Sequence, residues 1–377
     1  MGGYNLFRTF FGNGILNRIS RLPYLFGKRT VRVTSRPFSS ETVSSELLIQ
    51  DAIDVVPMGK NIFRSKELWK PAVSRGAFGG QLASQALYAA SMTIEPRFVL
   101  NSLHSYFLLP GNIEIPVEYH VQDIRTGRSF ASKSVQATQK GKVVFTMICS
   151  FHVPDESHVE HQYLMPKVLG PENYNQDLIY EGTRNVFNPD SPNEFVSLPI
   201  TKSVGVDGRL ASEQNLVSSD HSNDFTRNVP VSDPHRLWWF RGKTTPSNNN
   251  KIESTASIDT QMKHQCALAY LSDFRLLFTS TLPHGVSHNG ANKGKISMMA
   301  SLDHSMWFHS PVNVNEWLLY EMESPRAVSG RGFISGRVFD RNGVMVASIA
   351  QEGLLRVTTE EEKVTKFVKN NKPELIK

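Results

Sequence analysis

The chain contains two segments in which a helical pattern of apolar residues is followed by a strand pattern. In the first segment, apolar residues recur at helical spacing over 81–93, directly after a Gly-Gly pair. In the second segment, Asp259 is placed to cap a similar helix. Apolar and polar residues then alternate, as at 117–121 and 145–151, which predicts β-strands. This order is typical of an α+β fold, and it predicts a curved antiparallel sheet wrapped around one helix in each segment.

The two segments are diverged copies of one unit. Three short sequences recur in the same order at offsets of 200, 203 and 202 residues: 104–107 with 304–308, 127–132 with 330–335, and 140–143 with 342–345. A long period with two copies indicates a pair of domains rather than a solenoid. His104 and His304 fall at matching positions of these sequences, which favours a structural role for both. We expect the two sheets to join at their edges, so that edge strands are covered.

Glycine-containing dipeptides mark hairpin turns at corresponding places in the two copies. Lys140-Gly141 and Asn342-Gly343 each separate two apolar runs. Asn-Gly is a strong signal for a type I′ turn, because both of its residues tolerate a positive φ. Each copy is therefore expected to continue after its helix as antiparallel strands joined by hairpins.

The composition changes along the chain and divides it into five parts. The segment between the copies is polar and contains many prolines, which predicts a long linker with loose local structure. Trp238-Trp239-Phe240 predicts the first strand of the second copy. The five predicted parts are a leader at 1–40, a first unit at 41–153, a linker at 154–234, a second unit at 235–357 and a charged tail at 358–377.

The basic character of the chain is concentrated at its N-terminus. The formal net charge is +6, but residues 1–40 hold seven basic and no acidic side chains, and the remainder has 34 basic against 35 acidic ones. A nearly neutral body argues against nucleic-acid binding. An acid-free segment rich in Arg, Ser, Phe and Leu is typical of a mitochondrial transit peptide, which predicts a location in the mitochondrial matrix. The C-terminus does not read Ser-Lys-Leu, the peroxisomal ending.

Several classes of protein are excluded by what the 377 residues lack. No apolar run approaches the roughly 20 residues that span a bilayer, so integral membrane association is not expected. Two cysteines, Cys149 and Cys266, are too few for a disulfide framework or a cysteine-rich zinc site. Neither a Gly-x-Ser-x-Gly elbow nor a Walker A loop occurs. The histidine pairs lack further metal-ligating residues, so we expect no metal and no cofactor.

Three polar residues of the second copy stand out against its apolar pattern. Asp273 ends the predicted helix among apolar residues, where a carboxylate is disfavoured as an anion and is therefore a stronger base. Gln351 interrupts an apolar strand, whereas its counterpart at an offset of 202 is Cys149. Ser301 precedes the strand that contains His304. From the pattern alone, each is as consistent with a hydrogen-bonded buried group as with a functional one.

Five segments of the chain carry a resemblance to a known family: 75–81 (RGAFGGQ), 103–111 (LHSYFLLPG), 270–273 (YLSD), 302–309 (LDHSMWFH) and 351–353 (QEG). In this combination the sequence resembles the acyl-CoA thioesterase II family, whose members have a double hotdog fold. The resemblance covers residues 57–153 and 235–357. It implies the same fold here, with two tandem hotdog units.

The resemblance also implies roles for individual residues. The family's catalytic aspartate corresponds to Asp273, its hydroxyl residue to Ser301 and its glutamine to Gln351. Together these would orient a water molecule for direct hydrolysis of acyl-CoA to a free fatty acid and coenzyme A. Gly79 and Gly80, at the start of the first helix, are candidate donors to the oxyanion. The resemblance further implies an acyl-CoA partner and a homo-oligomer, and it offers a peroxisomal address as the alternative to the mitochondrial one.

Two other functions are left open by the sequence. A hotdog acyl-CoA hydratase or dehydratase would require a catalytic pair of Asp and His at the start of a helix, and the sequence does not show that pair there. A non-catalytic acyl-CoA binding module would bind the same ligand without turnover. Release of the thiol from acyl-CoA separates the thioesterase from both alternatives.

Overall fold

The computed structural model describes residues 48–72, 74–156, 158–175, 182–188, 191–200, 205–211, 233–243, 258–286 and 295–358. The predicted leader at 1–40 and the predicted tail beyond Thr358 lie outside these residues. The proposed transit peptide therefore stays a prediction from composition.

The first unit contains one long buried helix and a meander of antiparallel strands. Its elements are α1 (Ile49–Ile53), β1 (Val55–Gly59), β2 (Ile62–Ser65), β3 (Glu67–Pro71), α2 (Gly79–Ser91), β4 (Val99–Phe107), β5 (Glu118–Thr126), β6 (Phe130–Gln139) and β7 (Lys142–His152). Helix α2 is rich in Ala at its buried positions, which lets neighbouring backbones approach it closely. It begins at the Gly-Gly pair, close to the predicted start.

The second unit repeats this order. Its elements are β11 (His235–Gly242), α3 (Ile258–Ser272), a 3₁₀ helix (Leu277–His284), β12 (Lys295–Ser301), β13 (Asp303–Phe308), β14 (Leu318–Val328), β15 (Arg331–Phe339) and β16 (Met345–Thr358). Strand β11 contains the predicted Trp-Trp-Phe sequence. Helix α3 begins at Ile258, so Asp259 lies in its first turn and is not the residue that caps it.

The two units share one continuous sheet, as the edge argument predicts. The segment between the units supplies three further strands, β8 (Gly182–Asn188), β9 (Ser191–Ile200) and β10 (Val206–Leu210). Among the described residues the order in the large sheet is β1-β2-β5-β6-β7-β4-β13-β16-β15-β14-β11-β10, with β12 also paired to β16. The junction is the antiparallel pair β4–β13, where His104 lies opposite Ser305. This α+β arrangement, in which the two units join their strands into one sheet around two helices, is the double hotdog fold.

The register of the repeat differs by one residue from the offset seen in the sequence motif. Leu103 pairs with Cys149 across β4 and β7, and His104 is exposed on the outer face. In the second unit Ser305 pairs with Ala350, and His304 is buried. Because side chains alternate between the two faces of a sheet, His304 corresponds in space to Leu103 and not to His104. The predicted equivalence of the two histidines is therefore wrong.

The two predicted hairpin turns form, but with different backbone conformations. Lys140 and Gly141 both have positive φ angles, of 48° and 73°, which is the type I′ pattern. In the Asn342-Gly343 turn only Gly343 has a positive φ. Asp340 determines this second turn, because its carboxylate accepts hydrogen bonds from the backbone N–H groups of Asn342 and Val344, both at 2.8 Å.

The segment between the units contains more regular structure than the predicted loose linker. Strand β10 extends the large sheet beyond β11, while β8 and β9 pair with β3 in a separate three-stranded sheet. Before these strands, the chain lies along the second unit. Trp239 donates its indole N–H to the carbonyl of Leu169 at 3.0 Å, and Gln162 donates to the carbonyl of Gly343 at 2.7 Å. The sequence did not predict these strands, because the polar, proline-rich composition of the segment is typical of a loop.

Candidate active site

The end of helix α3 meets the beginning of helix α2 through Asp273. The backbone N–H of Gly80 donates to Asp273 Oδ2 at 2.8 Å. Phe78 precedes α2 and supplies no side-chain cap, so the first N–H groups of the helix need acceptors from elsewhere. The carboxylate of the second unit thus caps the helix of the first unit, where the helix dipole favours a negative charge.

The glycines at the start of α2 permit this close approach. A Cβ atom at Gly80 would lie 2.5 Å from the carbonyl oxygen of Tyr270 and 3.0 Å from the Cβ of Asp273. A Cβ atom at Gly79 would lie 2.9 Å from Asp273 Oδ2 and 3.0 Å from the ring of Phe107. The backbone contact therefore excludes a side chain at Gly80, whereas a side chain at Gly79 would require Asp273 or Phe107 to shift.

The two predicted oxyanion donors differ in their contacts. The N–H of Gly80 is already bonded to Asp273, so Gly80 positions the carboxylate and does not serve as an oxyanion donor in this arrangement. Gly79 is the first residue of α2, and its N–H has no acceptor within the helix. Of the two glycines, Gly79 remains the candidate donor.

Ser301 and Gln351 lie together on strands β12 and β16 of the second unit. Gln351 donates its side-chain N–H to Ser301 Oγ at 2.7 Å. The side chain of Gln351 is fully buried, whereas Ser301 is half-buried. Strands β12 and β13 both pair with β16, and Leu302 connects β12 to β13. Ser301, the last residue of β12, therefore lies opposite the middle of β16. The predicted hydroxyl and amide are therefore brought into direct contact.

A buried histidine joins this pair to the end of α3. His304 Nδ1 lies 2.5 Å from Gln351 Oε1, and His304 Nε2 lies 2.9 Å from Ser272 Oγ. Ser272 immediately precedes Asp273 in the sequence. The side chains of Ser301, Gln351, His304 and Ser272 thus form one hydrogen-bonded chain that ends beside Asp273. The sequence predicts only a structural role for His304. It does not show that the side chain lies on the buried face of the sheet, where His304 contacts Gln351 and Ser272.

Tyr320 holds the end of α3 in place through a hydrogen bond to the backbone of the helix. Its hydroxyl donates to the carbonyl of Ser272 at 2.9 Å. Burial raises the pKa of Tyr320 well above its ordinary value, and the negative charge of Asp273 raises it further. The phenol is therefore a permanent hydrogen-bond donor at neutral pH, and it fixes the backbone from which Asp273 projects.

A second carboxylate near the site has a different role. Asp303 Oδ1 accepts the backbone N–H of Glu352 at 2.9 Å, next to the point where Leu302 crosses between strands. Burial raises the pKa of Asp303, although the hydrogen bond from Glu352 opposes this shift. Its contact with the backbone indicates that Asp303 stabilises the strand crossing that places Ser301.

Aromatic side chains pack around the two helix ends. Phe78 lies 4.5 Å from Phe274 and 5.5 Å from Tyr270, measured between ring centroids. Phe107 lies 5.2 Å from Phe145 by the same measure. These rings surround Gly79 and Gly80 with apolar surface, so the polar groups of the site lie at the edge of an apolar environment.

The described residues lack two structural features of other protein classes. Over the described ranges, no group of three or more His, Cys, Asp or Glu side chains is arranged to hold a metal ion. In the same part of the chain, no helix combines the length and apolar character needed to cross a membrane.

Family models match both units. A model described as acyl-CoA thioesterase matches residues 218–354, and one described as acyl-CoA thioesterase N-terminal domain matches residues 67–152. The chain is 35% identical over 312 residues to acyl-coenzyme A thioesterase 8 of Mus musculus, covering 82% of this chain and 89% of the mouse protein. It is 28% identical to peroxisomal acyl-coenzyme A thioester hydrolase 1 of Saccharomyces cerevisiae, covering 85% and 97%.

The solved structures agree with these matches. The acyl-CoA thioesterase II TesB2 of Mycobacterium marinum superposes with a TM-score of 0.60 at 29% identity, over 82% of this chain and 98% of the bacterial one. The shared sequence extends over both units and over the segments that contain the candidate site. The chain therefore belongs to the acyl-CoA thioesterase II family, a family of thioester hydrolases with the double hotdog fold.

Proposed function

We propose that the protein hydrolyses acyl-CoA by direct attack of water, with Asp273, Ser301 and Gln351 as its catalytic residues. The observation that supports this most strongly is the hydrogen-bonded chain from Ser301 through Gln351 and His304 to Ser272, which ends next to Asp273. Ser301 and Gln351, which are 50 positions apart in the sequence, are thereby linked to Ser272, the residue that precedes Asp273 in the chain.

Asp273 acts as the general base in this proposal. Its Oδ2 atom is held by the N–H of Gly80, which leaves Oδ1 to accept a proton from water. Ser301 and the amide of Gln351 orient the same water molecule toward the thioester carbonyl.

The thioester places modest demands on the rest of the site. A thiol of pKa about 8.5 leaves readily, so a strong general acid is not required. The carbonyl oxygen becomes negative as water attacks, and the N–H of Gly79 at the start of α2 is the proposed donor to it. Because water attacks directly, no acyl-enzyme forms.

The apolar surroundings fit a fatty acyl substrate. Phe78, Phe107 and Phe274 lie around the start of α2, where the reacting carbonyl would sit. The mouse and yeast relatives are named for acyl-coenzyme A, which supports the same substrate class here.

A hydratase or dehydratase is disfavoured by the contacts of His304. Such an enzyme needs a histidine that reaches the substrate, whereas His304 is 1% exposed and both of its ring nitrogens contact protein side chains. A non-catalytic binding module remains the functional alternative to test. Release of free thiol from a chain-length series of acyl-CoAs tests the proposal, because hydrolysis predicts turnover and a binding module predicts none.

Replacing Ser301 by Ala is expected to lower kcat by about 10²-fold, because the water and the oxyanion lose one oriented hydroxyl. Thr at this position should restore most of the activity, since it keeps the hydroxyl. Ser297→Ala is the matched control: Ser297 lies on the same strand, but its hydroxyl donates to the backbone of Arg356. Thiol-release kinetics measure all three, and an unchanged kcat in Ser301→Ala would remove Ser301 from the mechanism.

Two observations favour different subcellular locations for the protein. The acid-free composition of residues 1–40 predicts mitochondrial import, whereas the name of the yeast relative favours a peroxisomal location. If the leader is a transit peptide, residues 1–40 fused to a fluorescent protein will be imported by isolated mitochondria and shortened. The full chain without residues 1–40 should then stay outside. Equal import of both chains, or import of neither, contradicts the mitochondrial address.

A further inference from the structure

We infer that His304 is a positioning residue that sets the direction of the Gln351 amide and thereby the direction of the Ser301 hydroxyl. This inference rests on the proposed function, in which Ser301 and Gln351 orient the attacking water. His304 itself does not touch the substrate, because it is buried behind Gln351.

The carboxamide of Gln351 is nearly symmetric in shape. A glutamine side chain can present either its oxygen or its NH₂ group to a given neighbour, and the two arrangements have almost the same shape. Gln351 lies between two neighbours, His304 and Ser301, that can each donate or accept a hydrogen bond. Its direction is therefore decided by which of these neighbours is obliged to donate.

In the structure the amide oxygen of Gln351 faces His304, which makes His304 the donor of this pair. With the oxygen of Gln351 2.5 Å from Nδ1, the imidazole must carry its proton on Nδ1, since an amide oxygen only accepts. Nε2 lies 2.9 Å from Ser272 Oγ, whose single hydroxyl proton also lies within reach of the Ala269 carbonyl at 2.9 Å and of Met306 Sδ at 3.2 Å. The relay requires that Ser272 donates this proton to Nε2. Every link then donates in one direction, from Ser272 to His304, from His304 to Gln351 and from Gln351 to Ser301.

The direction of this relay determines what Ser301 offers to the reaction. Because Ser301 Oγ accepts the N–H of Gln351, its own proton remains available for the carbonyl oxygen or the water. If Gln351 were reversed, its oxygen would accept the Ser301 proton instead. The hydroxyl would then have no proton for the site, and the same residues would form a weaker catalyst.

The first unit shows that packing alone does not require these two side chains. The positions that correspond to His304 and Gln351 are occupied by Leu103 and Cys149, which pair across β4 and β7 and are both buried. The same fold therefore accepts an apolar pair at this place in its sheet. Packing therefore does not explain the buried polar pair His304 and Gln351 of the second unit. Their role in orienting the Ser301 hydroxyl does explain it.

Two amide variants of His304 test the inference. In Asn the side-chain nitrogen takes the place of Nδ1, and in Gln it takes the place of Nε2. His304→Asn can still donate to Gln351, so we expect kcat within about threefold of the native value, whereas His304→Gln should lose at least about tenfold. KM should change little in either variant. His309→Gln is the matched control, because His309 is exposed at the end of the same strand.

Equal losses in the Asn and Gln variants would overturn the inference, as would a loss that simply follows the unfolding temperature. The double variant His304→Leu/Gln351→Cys reproduces the pair of the first unit, and it should fold but lose at least about 10²-fold in kcat. A folded double variant with native activity would also overturn the positioning role.

A spectroscopic measurement separates this inference from the proposed function. ¹⁵N chemical shifts distinguish a protonated Nδ1 from an unprotonated one, and the signal of His304 is identified by its loss in His304→Asn. We expect a protonated Nδ1, and an unprotonated Nδ1 would refute the relay whatever the activity. If Nδ1 is protonated but Asp273→Asn stays fully active, the proposed function fails, and the catalytic part of the inference fails with it.

Discussion

Replacing Asp273 by Asn is expected to lower kcat for acyl-CoA hydrolysis by about 10³-fold, because the site loses its only proposed general base. Asn has nearly the same shape, and its amide oxygen can still accept the N–H of Gly80 at the position of Oδ2. The helix cap and the fold should therefore persist. KM should stay within a few-fold of its native value, because the substrate contacts are unchanged. Thiol release under saturating acyl-CoA measures the effect.

The matched control for this variant is Asp54→Asn, which makes the same chemical change at the surface. Asp54 forms an exposed ion pair with Lys66 at 3.2 Å, and such pairs contribute little to stability. We expect native kinetics in this control. A fully active Asp273→Asn variant with a native unfolding temperature would show that another group activates the water.

Replacing Gly80 by Ala is expected to lower both stability and activity. The added methyl group would lie 2.5 Å from the carbonyl oxygen of Tyr270, a backbone atom that cannot move aside without shifting α3. Overpacking of this kind destabilises a protein by about 1–3 kcal/mol. The shift would also pull Asp273 away from its N–H donor, and a misplacement of about 1 Å is enough to lower kcat by about 10²-fold.

Gly59→Ala is the control for this second prediction. No atom lies within 4 Å of a Cβ built at Gly59, and its φ is not in the left-handed region, so the same methyl group should be tolerated there. Chemical unfolding and thiol-release kinetics of the two variants are compared. A Gly80→Ala variant that is as stable and as active as the control would contradict the close contact between α2 and α3.

Much of the fold could be predicted because its helices and strands follow from the local spacing of apolar and polar residues. The helix that begins at the Gly-Gly pair and the strand at Trp238-Trp239-Phe240 each follow from spacing within one short segment, and the duplication follows from comparing short segments about 200 residues apart. The linker strands could not be found in this way. Strand β10 is the sequence Val-Asp-Gly-Arg-Leu, and its acidic residue Asp207 forms an ion pair with Arg241 of the neighbouring strand at 3.0 Å.

The candidate site could be predicted in its residues but not in its connections. Asp273 stands out in the sequence as a carboxylate near the end of a helix, a place that disfavours an anion. The structure adds the N–H of Gly80, from a residue 193 positions earlier, which supplies the opposite influence. The role of His304 depends on a one-residue difference in register that decides which face of the sheet it occupies. Neither fact is contained in a local pattern.

A crystal structure of the Asp273→Asn variant with uncleaved acyl-CoA bound would test the central claim most directly. The account predicts one ordered water molecule within hydrogen-bonding distance of residue 273, Ser301 Oγ and the Gln351 amide, and about 3 Å from the thioester carbon. It also predicts the carbonyl oxygen near the N–H of Gly79. A thioester bound away from these groups, or residues 273, 301 and 351 too far apart to contact one water molecule, would contradict it.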